Sequence, residues 1–335
     1  MTPTESSDSD QPADDSKERT VIDFAGHLHP SATSPDEITN RPLTTHLDPL
    51  EQDPTALANW YADAGFDGAV LSQPYYMGHS DAEQTRDAND ELLRIIGEFE
   101  EFYGLAAIPV AAGPDSAADE FERCLENGYH GGALETSSAG IELVDDEVQP
   151  VLEVANRTGA PLFVHPKIHD SVHEDALDDR YLLNAIFGRE VALSESICNV
   201  IHEGIFERYP DLTLVYHHLG GNIAAMMERI RLQLDPGRWP GRQEHVMSYD
   251  AFRTQLEEQV YVDTAGFLGD SAPIRLALEE FPVTNVLLGT DAPYEPRTNE
   301  ELRRFVSSID QVCSPADANR VLGGNALELL VNVDR

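Results

Sequence analysis

From residue 20 onward the chain alternates between short apolar runs and longer stretches whose apolar positions recur every three to four residues. The runs are VIDFA (21–25), GAVLS (68–72), GLAAIPV (104–110), GALE (132–135), PLFVH (161–165), LTLVYH (212–217), VYVDTA (260–265) and NVLLGTD (285–291). Runs with little polar alternation suit strands buried on both faces. Helical periodicity marks 53–66, 84–101, 115–127, 147–157, 194–208, 221–234, 271–281 and 299–310. The first of these opens on Asp53-Pro54, a cap residue with proline at the first helical position. Eight strand–helix units predict an α/β fold with a parallel sheet, either a (β/α)8 TIM barrel or an open doubly wound sheet. The open sheet would want G-x-G-x-x-G after an early strand, but the first run leads into GHLHP and no Walker-type G-x-x-x-x-G-K occurs. The TIM barrel is therefore the expected architecture, as one domain over 20–335. Residues 1–19 lack apolar periodicity and read as a disordered acidic tail.

Of the 335 residues 41% are hydrophobic, enough for a sizeable core. The 22 Lys and Arg against 61 Asp and Glu leave a formal charge of −39, which repels phosphate backbones and anionic lipid and argues against nucleic-acid or membrane partners. Lys17 and Lys167 are the only lysines. Dense short carboxylates with almost no lysine point to a halophilic protein in a high-salt cytosol, where screening removes the self-repulsion. Three cysteines, far apart and without a C-x-x-C pair, argue for a reducing interior. No apolar run reaches membrane-spanning length and the first twenty residues hold no hydrophobic segment, so a soluble, cytoplasmic protein is expected.

In such barrels the chemistry gathers at the C-terminal strand ends. Five of the 12 histidines fall there: His27 and His29 after the first run, His165 after the fifth, His217 and His218 after the sixth, while Asp291 ends the eighth. In an extended chain His27 and His29 project to one side. With His165 and Asp291 they would form a three-imidazole, one-carboxylate set for a divalent metal, Zn²⁺ for preference, with Mn²⁺, Fe²⁺ or Co²⁺ alternatives. His217 and His218 are neighbours, so only one is expected to face the barrel, and an all-apolar strand does not choose between them. Glu135, ending the fourth run, is expected to orient a ligand histidine in preference to supporting a second metal. Lys167, Arg180, Arg229 and Arg231 are the cations considered for a substrate carboxylate. Tyr75 and Tyr76 either line the pocket or simply pack. His169 and His173 read as solvated, and Asn325 with Glu328 as a helix cap.

The stretches GHLHP, GAPLFVHPK, ESICNVIHEGIFERYPDLTLVYHHLGGN, VLLGTDAPY and GGNALELL resemble the amidohydrolase superfamily, in its branch of aminocarboxymuconate-semialdehyde decarboxylase and related aromatic-acid decarboxylases. The likeness runs over about 20–330. It implies His27, His29, His165 and Asp291 as metal ligands and His218, in His-Leu-Gly-Gly, as catalytic acid or base, with His217 left in the strand wall. It also implies a homodimer and a small-molecule carboxylate substrate. The chain departs from the family where Asp23 stands four residues before His27 and where Lys167 replaces a tryptophan after His-Pro.

Two reactions fit these residues. One is non-oxidative decarboxylation of a conjugated or aromatic acid, with His218 moving the proton. The other is hydrolysis of a lactone, amide or ester by metal-bound hydroxide.

Overall fold

A computed structural model describes residues 19–33, 49–166, 181–239, 245–267 and 269–331. The expected tail, Arg19 excepted, lies outside them. Eight parallel strands pair in chain order: β1 (Ile22–His27), β2 (Gly68–Ser72), β3 (Phe102–Ala107), β4 (Gly131–Glu135), β5 (Leu162–His165), β6 (Leu214–Tyr216), β7 (Val260–Asp263) and β8 (Val286–Leu287). The sheet closes on itself where the Phe24 amide donates to the Leu288 carbonyl at 2.7 Å and the His27 amide to the Ala292 carbonyl at 2.7 Å. The structure is thus the (β/α)8 barrel that the strand–helix rhythm predicts.

Helices α1 (Pro54–Ala64), α2 (Ala82–Glu98), α3 (Pro114–Glu126), α4 (Gln149–Thr158), α5 (Arg189–His202), α6 (Ile223–Leu234), α7 (Tyr249–Gln259), α8 (Ser271–Glu280) and α9 (Asn299–Val312) connect the strands. Their ends follow local chemistry. Asp53 accepts from the Thr55 and Ala56 amides, satisfying donors that the first turn of α1 leaves unpaired, and Gly65 ends it at φ +88°. Thr298 and Glu301 close a reciprocal capping box on α9. The periodicity at 194–208 belongs to two helices, because Gly204 at φ +68° breaks α5 from a short turn at Ile205–Arg208. Helix α7 was not among the expected elements. The Asn325–Glu328 cap is also corrected. Residues Arg320–Gly324 are already helical, so Asn325 lies inside the segment, and its buried carboxamide donates to the Val283 and Val286 carbonyls.

Strand parity places the core and then the site. Ile22, Phe24, Val70, Leu105, Ala133, Phe163, Val215 and Leu287 fill the barrel, with Ala326 and Leu330 packed in the same cluster. Their neighbours Ala69, Leu71, Ala106, Leu134, Leu162, Val164, Leu214 and Tyr216 face the helices. Each fully buried large side chain contributes about 1.5–3 kcal/mol by leaving water. Because side chains alternate with period two, the inward set continues at the C-terminal ends as Ser72, Glu135, His165, His217 and Asp263.

In β1 the register slips: Asp23 pairs with Ala69 but Gly26 with Leu71, one extra residue on β1. That bulge accounts for Asp23 standing four residues before His27. The Asp23 carboxylate is buried and accepts from the Ala25 amide at 3.0 Å, the Tyr61 hydroxyl at 2.6 Å, and the Thr290 amide at 2.9 Å and hydroxyl. It ties the bulged strand to the residue preceding Asp291.

Candidate metal centre

At the C-terminal mouth, His27, His165, His217 and Asp291 each offer a donor atom within 4.8 Å of one another. Each imidazole is oriented through Nδ1, leaving Nε2 for the interior. Ser72 Oγ lies 2.9 Å from His27 Nδ1, the Pro166 carbonyl 2.7 Å from His165 Nδ1, and Asp263 Oδ2 2.7 Å from His217 Nδ1. Asp291 is the hub. Its Oδ1 sits 3.0 Å from His27 Nε2 and 3.7 Å from His217 Nε2, and its Oδ2 sits 3.8 Å from His218 Nε2.

Asp291 adopts φ +55°, a left-handed backbone uncommon outside glycine. Its predecessor is held from both sides: Asp23 grips the Thr290 amide and hydroxyl, while the buried Arg297 guanidinium donates to the Thr290 carbonyl. Arg297 also donates to Glu295 Oε2 at 2.5 Å and to the Phe267 carbonyl at 3.3 Å.

The charges of these groups are strongly biased. Burial first, then neighbouring His217 and His27, hold His165 well below the ordinary imidazole range, so it stays a neutral donor. Burial works against charge at Asp291, but the imidazoles of His217, His218 and His27 beside it hold its carboxyl well below the usual range. Burial also opposes protonation of His218, yet Asp291 and Glu190 outweigh it and push it up to about 10. His217 is likewise raised, against its burial, by Asp263. Two imidazoles drawn toward positive charge around an ionised carboxylate describe a pocket with negative potential. Three imidazoles and one carboxylate in it suit a borderline divalent cation such as Zn²⁺ or Mn²⁺.

The structure redistributes several sequence expectations. His29 is buried, its ring centroid 6.4 Å from those of Tyr76 and Tyr294, and it lies outside the 4.8 Å set. The two-apart rule holds only while the pleat continues. Here β1 ends at His27, and the His29 amide turns to the Glu51 carbonyl at 2.7 Å. The expectation that only one of His217 and His218 faces the barrel is overturned. His217 keeps strand register, its amide donating to the Val164 carbonyl at 3.1 Å, and so continues the inward parity of Val215. His218 would then point outward, but φ +51° there and φ +56° at Leu219 swing it back to Asp291. Its Nδ1 lies 2.8 Å from Glu190 Oε1 on α5. Gly266 makes room, since a Cβ there would sit 2.6 Å from the His218 ring.

The Nδ1 partners of the His27, His165, His217 and His218 rings are Ser72, the Pro166 carbonyl, Asp263 and Glu190. Glu135 is buried beside His165, its pairing partner across β4 and β5. Arg229 and Arg231 are exposed on α6, turned to solvent rather than to the rings. Lys167, His169, His173 and Arg180 lie outside the described residues. Tyr76 is buried, and its ring faces His29.

Asp263, Glu190, Ser72, Glu295 and Tyr294 were not anticipated. Asp263 had a usable signal, the one charged side chain within the strand-like run VYVDTA. Glu190 had none, because it reaches His218 from a helix. Tyr294, 5.5 Å from His27 between ring centroids, donates to Glu51 Oε1 at 2.7 Å and walls one side of the mouth.

A sequence profile of the family described as Amidohydrolase matches residues 22–331. The chain is 26% identical over 245 residues to 2-amino-3-carboxymuconate-6-semialdehyde decarboxylase of Dictyostelium discoideum, a match covering 72% of this chain and 65% of that protein. It is 28% identical over 265 residues to gamma-resorcylate decarboxylase of Polaromonas sp., covering 74% and 76%. Among solved structures, dihydroxybenzoic acid decarboxylase from Polaromonas sp., crystallised with manganese and 2-nitroresorcinol, superposes with a TM-score of 0.78 at 20% identity, covering 93% of this chain and 96% of that one. The likeness to that structure is one of fold. Among the described residues no helix is long and apolar enough to cross a membrane.

Proposed function

This chain belongs to the amidohydrolase family, and from that premise we propose that it is a metal-dependent carboxy-lyase that removes CO₂ from an aromatic or conjugated carboxylic acid. The observation that carries this reading is the convergence of His27, His165, His217 and Asp291 at the barrel mouth with His218 beside them. The curated relatives named above as decarboxylases support it. In this reading His27, His165 and Asp291 hold the cation, with His29 the further donor expected from the sequence. Zn²⁺ is proposed, and Mn²⁺ fits the same donors.

When bound, the cation supplies a Lewis acid that draws in substrate oxygens and stabilises developing negative charge. His218, fixed by Glu190, carries a proton at Nε2 on the open side of Asp291. That proton passes to the ring or diene carbon bearing the carboxylate. The bond to the carboxylate carbon breaks, its electron pair remains on the substrate carbon as the new C–H bond, and CO₂ leaves. Tyr294, 5.5 Å from His27, and Tyr76, 6.4 Å from His29 between ring centroids, are proposed to offer aromatic faces to a flat, conjugated substrate. Lys167 and Arg180 are proposed to meet its carboxylate.

The test is direct. Protein loaded with Zn²⁺ or Mn²⁺ is expected to release CO₂ from dihydroxybenzoates or amino- and hydroxy-substituted dienoic acids, followed manometrically or by loss of substrate absorbance. Acid release from lactones, with no CO₂ from any such acid, would replace this reading by hydrolysis.

The charge of −39 supports a halophilic, cytoplasmic setting, as do cysteines that are all free. Folding and activity are expected to rise from dilute buffer to molar KCl, as salt screens the self-repulsion of the carboxylates. Circular dichroism melts across a KCl series measure this, and a protein most stable in dilute buffer would contradict it. A homodimer is proposed as well. The exposed Tyr181, Leu182, Ile186, Phe187 and Val191 offer it an apolar face, and sedimentation of the same samples reports it.

A further inference from the structure

The reaction makes no direct use of Arg297, although its side chain is only 2% exposed. Taking a guanidinium out of water is expensive, and replacing a buried ion pair by apolar residues of like volume is often neutral or stabilising. Stability alone therefore gives no reason for an arginine here, whereas its partners do. Nη1 donates to the Thr290 carbonyl, and Nη2 to the Phe267 carbonyl at 3.3 Å and to Glu295 Oε2 at 2.5 Å. Cζ lies 5.1 Å from the centroid of the Phe305 ring, a packing contact that steadies the planar fork.

The two carbonyls belong to the two loops that carry the chemistry. The Thr290 carbonyl and the Asp291 amide share one rigid peptide plane, so a grip on that oxygen fixes one side of the Asp291 φ rotation. Asp291 stands at φ +55°, a conformation that a residue with a side chain keeps only where its surroundings impose it. Asp23 already holds the amide and hydroxyl of Thr290, which leaves the carbonyl, and Arg297 takes it. The Phe267 carbonyl directly follows Gly266, whose missing side chain makes the seat of His218: a Cβ there would stand 2.6 Å from the ring. The third partner closes the loop after β8, since the Glu295 amide donates to the Asp291 carbonyl at 2.9 Å while its carboxylate returns to Arg297. One guanidinium thus spans the β7 loop that seats His218 and the β8 loop that carries Asp291, whose facing atoms lie 3.8 Å apart.

We infer that Arg297 is a positioning residue, a strut between the β7 and β8 loops that sets where Asp291 stands relative to the imidazoles of the metal centre and to His218. This rests on the metal-centre reading and adds to it a residue outside the ring of donors.

The experiment titrates Co²⁺ into the metal-stripped full-length protein, with affinity from chelator competition and geometry from ligand-field absorption. It also follows CO₂ release from 2,6-dihydroxybenzoate by the Mn²⁺-loaded protein. Arg297→Met keeps the volume and removes every donor. It is expected to weaken Co²⁺ roughly 10–100-fold, to alter the spectrum, and to lower kcat about 100-fold at saturating metal with KM little changed. Arg297→Lys keeps the charge without the planar fork and is expected to lower kcat and Co²⁺ affinity about tenfold. Arg297→Ala is expected to regain affinity and turnover saturably in millimolar guanidinium and not in KCl of the same ionic strength, a rescue that lost packing would not show. Should the Met and Ala variants fail to fold, Arg297→Lys decides by the same readouts, and where the wild type leaves 2,6-dihydroxybenzoate intact the Co²⁺ readouts decide alone. Wild-type affinity, spectrum and kcat in Arg297→Met or Arg297→Lys, whatever the melting temperature, would overturn the inference and leave the centre standing. An Arg297→Ala defect that guanidinium does not relieve, or that KCl relieves equally, would overturn it as well. A wild-type protein that binds no Co²⁺ would instead remove the centre itself, and this inference with it.

Discussion

Asp291→Asn is expected to strip the protein of its divalent ion and to lower kcat/KM by about three orders of magnitude or more. The choice of asparagine matters. Residue 291 sits at φ +55°, where Asn is among the few tolerated side chains and Ala would add backbone strain. The substitution therefore removes charge and little else. In the native chain the Asp291 oxygens face Nε2 of His27 at 3.0 Å, His217 at 3.7 Å and His218 at 3.8 Å, so this one carboxylate joins all the elements of the site. Lewis-acid stabilisation is worth several kcal/mol, and each 1.4 kcal/mol is tenfold in rate, which gives the expected loss. Metal content by elemental analysis and turnover by CO₂ release measure the two halves of the effect. A variant that keeps stoichiometric metal and wild-type turnover would show that the carboxylate is a bystander.

His218→Asn is expected to lower kcat by about 10²–10⁴-fold, the range for losing a general acid, with metal content unchanged. Residue 218 also lies at φ +51°, so Asn again spares the backbone. His218 is separated from the ion-binding set by geometry: its Nδ1 is occupied by Glu190 at 2.8 Å, and its Nε2 reaches only the far oxygen of Asp291. Loss of proton transfer without loss of metal is therefore the signature of its role. Concurrent loss of the ion would reassign it as a ligand, since His218, Asp291 and Glu295 also form a set of potential donors.

The barrel was legible because strands covered on both sides are apolar throughout and amphipathic helices separate them; all eight runs became strands. The site was legible where it falls on strand ends, at His27, His165 and Asp291. It was illegible where the backbone leaves the strand. Nothing in the letters of HHLGG announces that His218 turns through φ +51°, which is what brings it to Asp291 beside the in-register His217. His29 differs for the opposite reason, because β1 stops two residues earlier than the alternation assumes. Glu190 was hidden because it arrives from a helix with no sequence relation to His218; Asp23 was visible, but its hold on Thr290 was not, because a bulge displaces it from His27.

The barrel is sealed by its first strand meeting its last, and the contact between His27 and Asp291 spans 264 positions. On the ribosome, β1 must therefore wait with an open edge until almost the whole polypeptide has been synthesised. Throughout that interval a nascent chain exposes unpaired strand groups of the kind that recruit other chains. A stalled or prematurely ended translation product carries three of the histidines but lacks the carboxylate that binds them together. Ion capture should accordingly mark finished molecules, arriving as one of the last events of maturation rather than as its seed.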